Sequence, residues 1–229
     1  MIFRHNSGQP INGLFIAGLG LPGSGKSSVL GALANRLDCT FYAEPEEAAW
    51  PPAVTDRALN GCFSAITWFR TVRVPQLFAA DKLRASGQIV VVDSYFDKAM
   101  HYCLGKAGME WLIDSQDPYF AIVKQMMALD VAKLPDADCI VCFIIDKQDW
   151  LELLKVRGRH LDSEFAIEST FATQQHYIEA AKQLAKTRGI RCIEFKQTVS
   201  CVEKAADSLY DLLIDKEVIL NPCLQSKAV

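Results

Sequence analysis

The sequence lacks the apolar run of about 20 residues that a membrane-spanning helix requires. Its amino terminus, MIFRHNSGQP, also lacks the apolar segment and small-residue cleavage site of a secretory signal. There is no basic excess either: the formal net charge is -3 over 229 residues, whereas a broad nucleic-acid-binding surface would carry a positive charge. We therefore expect a cytoplasmic protein that binds neither a membrane nor a nucleic acid polymer.

The cysteines lack the spacing of a metal site. All eight are scattered along the chain, mostly inside apolar segments. Cys139 and Cys142 lie three residues apart in a predicted strand, where their side chains should point to opposite faces. No second pair follows at zinc-site spacing. We expect reduced thiols in the core, which indicates a reducing compartment.

The hydrophobic pattern predicts an α/β protein. Short apolar runs, typical of buried parallel strands, cover residues 13–19, 39–44, 88–93, 136–146 and 189–195. Helical spacing covers residues 27–37, 61–86, 95–105, 118–132, 147–157, 165–187 and 201–214. Strands separated by helices predict right-handed crossovers, and hence a five-stranded parallel sheet with helices on both faces. We expect one domain over residues 1–229, with a short tail at 215–229.

Prolines set two local expectations. Pro75 should kink or split the helix predicted over 61–86, because proline lacks the N–H that a helix interior uses. Trp50-Pro51-Pro52 should exclude a helix at that point.

The stretch GLPGSGKSS, residues 20–28, fits the pattern G-x-x-x-x-G-K-[ST] between a strand and a helix. Glycines let backbone N–H groups surround a polyphosphate, Lys26 neutralises its β and γ oxygens, and the Ser27 hydroxyl can bind Mg²⁺. The pattern therefore predicts a P-loop that holds a nucleoside triphosphate. The predicted nucleotide-binding residues are Gly20, Gly23, Ser24, Gly25, Lys26, Ser27 and Ser28.

Two classes of P-loop protein compete for this loop. Asp146-Lys147-Gln148-Asp149 resembles the base-reading Asn-Lys-x-Asp of switch GTPases, with Asp in place of Asn. However, the third strand ends in Asp93-Ser94-Tyr95-Phe96, without the glycine that such a switch needs. A small-molecule kinase is favoured, and a GTPase or a nucleotide-binding regulator without kinase activity is the alternative.

Polar residues after the predicted strands favour the kinase, because an open α/β sheet builds its site there. Glu44 ends the second strand and is the candidate general base. Asp93 ends the third strand and is the candidate Mg²⁺ support. Arg157 and Arg159 lie in a Gly-interrupted segment, a predicted lid at about residues 155–166 that would clamp the triphosphate. The candidate substrate-binding residues are Trp50, Phe69, Arg70, Arg73, Tyr95 and Tyr102.

These residues, in this order, resemble the deoxynucleoside kinase and thymidylate kinase group of P-loop kinases over about residues 13–187. The likeness is carried by the P-loop, by Glu44-Pro45 with Trp50 beyond, by Leu-Pro-Asp at 134–136 and by the Arg-Gly-Arg lid. Glu-Pro with a nearby Trp is similar to deoxynucleoside kinases, in which the glutamate activates the sugar 5′ hydroxyl. The stretch from Asp93 to Tyr102 is similar to thymidylate kinases.

The resemblance implies transfer of the γ-phosphoryl group from ATP, with Mg²⁺, to a small nucleoside or nucleotide acceptor. It also implies a homodimer formed through long helices. The alternative acceptor is a monophosphate such as dTMP, whose phosphate Arg70 or Arg73 would bind.

The chain departs from this group at three places. Ser94 stands where both families carry an arginine, so that Arg70, Arg73 or the lid would have to compensate. No glutamine in residues 63–67 matches the base-reading residue of deoxynucleoside kinases. The Arg-Glu-Pro-Gly-Gly run of thymidylate kinases is missing too.

Overall fold

The computed structural model describes residues 13–158 and 167–219 of the chain. Its five strands are all parallel and form one sheet in the order β2-β3-β1-β4-β5. Their bounds are β1 Leu14–Gly20, β2 Thr40–Tyr42, β3 Ile89–Val92, β4 Cys139–Ile145 and β5 Arg191–Gln197. Each strand falls within or beside a predicted apolar run, so the α/β class and the five-stranded parallel sheet are confirmed.

Helices connect the strands and cover both faces of the sheet. Their bounds are α1 Lys26–Arg36, α2 Pro52–Thr55, α3 Arg57–Ala85, α4 Phe96–Ala99, α5 Phe120–Lys133, α6 Lys147–Arg157, α7 Ile167–Ala172, α8 Gln174–Arg188 and α9 Val202–Asp215. Short 3-10 turns add residues 47–49 and 100–102. None of the described helices has the combination of length and hydropathy that a membrane-spanning segment requires.

The effects predicted for Pro75 and for Trp50-Pro51-Pro52 are not found at those positions. The interruption of α3 lies at Gly61, where φ is 74° and ψ is 161°, and the helix continues through Pro75 to Ala85. A helix also begins at Pro52, because proline is tolerated in the first turn, where its missing N–H would have no partner.

Two hydrophobic cores lie on the two faces of the sheet. Alternate residues of each strand point to opposite faces, so that Phe15 joins one core while Ile16 joins the other. Cys142 and Cys139 divide in the same way, as the sequence predicted. Burial raises the pKa of both thiols to about 12. The seven cysteines in the described residues are free thiols, and Cys223 lies outside those residues.

The strand order places the candidate site at the centre of the sheet. β1 lies between β3 on one side and β4 on the other, so that the chain leaves its carboxyl end at the point where the strand order reverses. Ligands of open α/β sheets bind in the crevice at this point. The P-loop follows β1 directly and therefore occupies the crevice.

Candidate active site

A tight loop joins β1 to α1. Gly23 and Gly25 have φ values of 79° and 76°, in the left-handed region that residues with a side chain rarely adopt. A Cβ atom on Gly23 would also lie 2.4 Å from Leu154 Cδ2, so the leucine side chain would have to shift to accept one. Gly25 is the residue before α1, whose first-turn N–H groups have no partner inside the helix. The loop and this helix end together form an anion-binding geometry.

The loop is supported by α6 and by the end of β5. Trp150 Nε1 donates a 2.9 Å hydrogen bond to the carbonyl oxygen of Pro22. Arg157, on the last turn of α6, places its guanidinium carbon 3.5 Å from the point where a Cβ on Gly23 would lie. The Nε2 atom of Gln197 is 3.2 Å from the equivalent point on Gly25. Arg157 therefore lies beside the P-loop, where the lid prediction expects a cation.

Asp93 connects the P-loop to the segment that follows β2. One carboxylate oxygen pairs with Lys26 Nζ, and the other accepts the backbone N–H of Glu44 at 3.4 Å. The hydroxyl of Ser27 also stabilises the ionised form of this carboxylate. Burial alone would raise the pKa of Asp93, but Lys26, Ser27 and the Glu44 N–H outweigh it and hold that pKa below its usual range. Asp93 is therefore ionised, and it brings the predicted base next to the predicted phosphate site.

Arg73 holds the side chain of Glu44. Its Nη1 donates to Glu44 Oε1 at 3.0 Å, while Nε and Nη2 donate to Asp97 at 2.7 Å and 3.3 Å. Burial alone would lower the pKa of Arg73, but the two carboxylates outweigh it and raise that pKa above its usual range. Arg73 and Asp97 are buried, and the three side chains have two formal negative charges and one positive charge. Glu44 remains partly exposed, with 32% of its side-chain surface accessible.

Comparison with known proteins supports the fold. No family model and no curated protein matches the sequence. Solved structures of deoxyadenosine kinase from M. mycoides do match. One with bound dATP has a TM-score of 0.66 at 17% identity and covers 89% of this chain and 98% of that chain. Others contain the products dCMP and dCDP, at TM-score 0.65 and 16% identity, or bound dCTP, at 0.61 and 14%; each covers 88% of this chain and 100% of that chain.

This chain has the fold of the P-loop deoxynucleoside kinases. The likeness spans nearly the full length of the matched enzymes, although few residues are identical. Within that kinase fold, the P-loop, Asp93 and Glu44 meet at the carboxyl edge of the sheet.

Two aromatic rings lie beside the guanidinium of Arg73. The guanidinium carbon of Arg73 lies 5.0 Å from the ring centre of Phe69 and 4.8 Å from that of Phe96. Trp50 packs edge-on against Phe69 at 5.3 Å, and its indole nitrogen donates to the carbonyl of Pro45. Two of the predicted stacking residues, Trp50 and Phe69, are therefore next to the Glu44 site. Phe96 joins them, although its sequence position gave no signal.

Three of the predicted substrate-binding residues make contacts away from the Glu44 site. Arg70 forms a two-pronged ion pair with Asp130, at 2.8 Å and 2.6 Å. Tyr95 is fully buried, and its hydroxyl bonds to the backbone of residues 135 and 137, which does not support stacking on a base. The hydroxyl of Tyr102 lies 3.4 Å from Thr187, near the carboxyl end of α8. That end leads into β5 and lies at the sheet edge opposite the P-loop, so Tyr102 is not brought to the site.

The lid can be followed only in part. Residues 155–158 are described, and Arg159 lies outside the described residues, as do positions 160–166 of the predicted lid. The predicted tail is described as far as residue 219.

At the start of α1, Ser27 and Ser28 are both exposed and accessible to a ligand.

The sequence gave no role to Asp97 or Trp150. Asp97 follows Asp93 by four residues, on the short helix α4, and it is 6% exposed. Its pairing with Arg73 depends on the packing of α3 against α4, which no local pattern reports. Trp150 is fully buried and contacts Pro22, 128 residues earlier in the chain. A sequence pattern of helical spacing identifies such a tryptophan only as a core residue.

Proposed function

We propose that this protein is an ATP-dependent kinase that transfers the γ-phosphoryl group to a hydroxyl of a nucleoside or deoxynucleoside. The position of Asp93 carries the proposal. One side of this buried carboxylate binds Lys26 of the P-loop, and the other accepts the N–H of Glu44. The proposed phosphate site and the backbone of the proposed base are therefore joined by one carboxylate, which supports phosphoryl transfer between them.

The P-loop residues fit the triphosphate of ATP. Ser24 Oγ is buried and has no hydrogen-bond partner among the described residues, and a phosphate oxygen would supply one. Ser27 and Asp93 present oxygen atoms, the ligands that Mg²⁺ prefers, and would hold the ion together with phosphate oxygens and water. When bound, Mg²⁺ neutralises charge on the β and γ phosphates. Lys26 would exchange part of its pairing with Asp93 for the phosphate oxygens.

Glu44 is the proposed base. The acceptor oxygen attacks the γ-phosphorus, the bond from that phosphorus to the β,γ-bridging oxygen breaks, and the acceptor proton passes to the carboxylate of Glu44. The products are ADP and the phosphate ester of the acceptor. Arg157 beside the P-loop would balance the charge on the transferring group, and Arg159 is proposed to assist it from the lid.

The ion pairs that Arg70 and Arg73 already form favour an uncharged acceptor over a nucleoside monophosphate. Arg70 is neutralised by Asp130, and Arg73 lies between Asp97 and Glu44. A second phosphate at this position would have to break one of these ion pairs. The proposed acceptor is therefore a nucleoside, whose base would lie against Trp50 and Phe69.

Turnover with a panel of acceptors tests the function. Purified protein with ATP and Mg²⁺ is expected to release ADP when a nucleoside is added, and less when the matching monophosphate is added. Glu44→Gln should lower kcat by about 100-fold or more, because a positioned base typically contributes that much. Glu46→Gln, an exposed neighbour, is the matched control and should retain activity. ATP binding with no acceptor-stimulated ADP release would instead identify a nucleotide-binding regulator.

A further inference from the structure

The guanidinium of Arg73 bonds to two carboxylates and lies over two aromatic rings. Asp97 occupies the edge formed by Nε and Nη2, which leaves Nη1 to reach Glu44 Oε1. Its guanidinium carbon lies 5.0 Å from the ring centre of Phe69 and 4.8 Å from that of Phe96. A planar fork of this kind binds a carboxylate in one orientation, unlike the mobile ammonium of lysine. The position of Arg73 is therefore set mainly by Asp97.

Only one oxygen of Glu44 is used by this arrangement. Oε1 accepts the hydrogen bond from Arg73, and within the described ranges no residue hydrogen-bonds Oε2. An unoccupied carboxylate oxygen is what a base needs in order to accept a proton. If Nε and Nη2 were also free, the fork of Arg73 could bind both oxygens of Glu44 and block the base.

We propose that Asp97 is a positioning residue that acts through Arg73 to keep one oxygen of Glu44 open for the acceptor hydroxyl. This inference rests on the proposed kinase function. In this role Asp97 orients Arg73 and does not itself contact the substrate. Ser94 is small and has no charge, and its hydroxyl accepts the Phe96 N–H at 3.4 Å. The cation beside Glu44 is therefore Arg73 of α3.

Kinetics of Asp97→Asn in two backgrounds test the proposal. In the otherwise unchanged enzyme we expect kcat to fall about 10- to 100-fold, since a small displacement of a catalytic group has this effect. The KM for ATP should be unchanged, because Lys26 and Asp93 are not altered. In the Glu44→Gln background the same change should lower kcat no further, because no base remains to be positioned.

Asp136→Asn is the matched control. Asp136 also pairs with two cations, Lys98 and Arg188, but at the sheet edge opposite the P-loop. We expect this variant to lose stability and to keep its kcat. Should Asp97→Asn fail to fold, Arg73→Lys keeps the charge, removes the fork and should show the same dependence on Glu44.

Chemical unfolding separates this inference from the proposed function. If Arg73 links the two carboxylates, the effects of Asp97→Asn and Glu44→Gln on the free energy of unfolding should not add. Additive effects would overturn the linkage whether or not the protein is a kinase. An equal loss of kcat in both backgrounds, or no loss in either, would overturn the positioning role. Wild-type protein without acceptor-dependent turnover would overturn the proposed function, and with it any catalytic role for Asp97.

Discussion

Trp150 donates its indole N–H to the carbonyl of Pro22 at 2.9 Å, and this bond ties α6 to the P-loop. The same helix carries Arg157 one turn after Leu154, whose side chain packs against Gly23. The segment that leads into the predicted lid therefore rests directly on the loop predicted to hold phosphate.

Trp150→Phe tests this support. The change keeps most of the buried ring and leaves the Pro22 carbonyl without its partner, so we expect a loss of about 1 kcal/mol in unfolding free energy. Affinity for ATP should fall several-fold, because the loop is held less firmly. Calorimetric titration and chemical unfolding measure the two effects. Trp111→Phe is the control, because the buried Trp111 Nε1 has no partner among the described residues and its removal breaks no bond.

Lys26→Met should remove most of the affinity for adenine nucleotides. Lys26 supplies the positive charge of the P-loop, and its loss also leaves the buried Asp93 carboxylate without its main partner. We expect ATP affinity to fall at least tenfold in a direct binding assay. Lys182→Met removes an exposed lysine paired with Glu194 and should bind ATP normally. Unchanged affinity in the Lys26 variant would refute the nucleotide site itself.

Asp93 gives the fold a defined pH dependence. Its pKa is lower in the folded protein than the ordinary aspartate value of 3.8, so its ionised form stabilises the fold. That stability is fully present above the ordinary value and is lost as the pH falls through the lowered pKa. Asp93→Asn should therefore cost stability at pH 7, and its difference from wild type should shrink below about pH 4. Unfolding curves across this range provide the measurement, with exposed Asp207→Asn as the control.

Arginine variants distinguish the two acceptor classes. If the acceptor is a nucleoside, Arg70→Ala should change its KM by no more than a few-fold, because Arg70 is already paired with Asp130. Arg73→Ala should lower kcat, because Glu44 loses its hydrogen bond from Nη1. If the acceptor is a monophosphate, either variant should raise the KM for the monophosphate far more than the KM for the nucleoside. Steady-state kinetics with both acceptors decide between these outcomes.

The parts of the site that sequence analysis located are those that depend on local chemistry. Gly25, Lys26 and Ser27 are contiguous, and their spacing alone indicates the loop. Glu44 and Asp93 each lie just beyond a strand, and parallel strands bring their carboxyl ends to one edge. Their proximity was therefore an expectation, which the 3.4 Å contact between them now supports.

Residues on helices were harder to place. The spacing of Arg70 and Arg73 on α3 suggested that both face the acceptor. However, Arg70 pairs with Asp130 on α5, while Arg73 pairs with Asp97 on α4 and with a glutamate just beyond β2. Tyr95 and Tyr102 follow the third strand closely, but one is turned into the core and the other lies near the far edge of the sheet. A rotation of about 100° per residue separates the directions of neighbouring side chains on a helix, and only the packing partners select among them.

By itself, the sequence determined the order of strands and helices, the parallel sheet and the glycine-rich anion loop, because periodicity and backbone freedom are properties of short segments. Tertiary structure alone decided which charges meet. Asp97, Arg73 and Glu44 come from three separate segments of the chain, and Trp150 supports Pro22 from 128 residues away. Ion pairs and buried hydrogen bonds act over a few ångströms of space, and distance along the chain does not specify that separation.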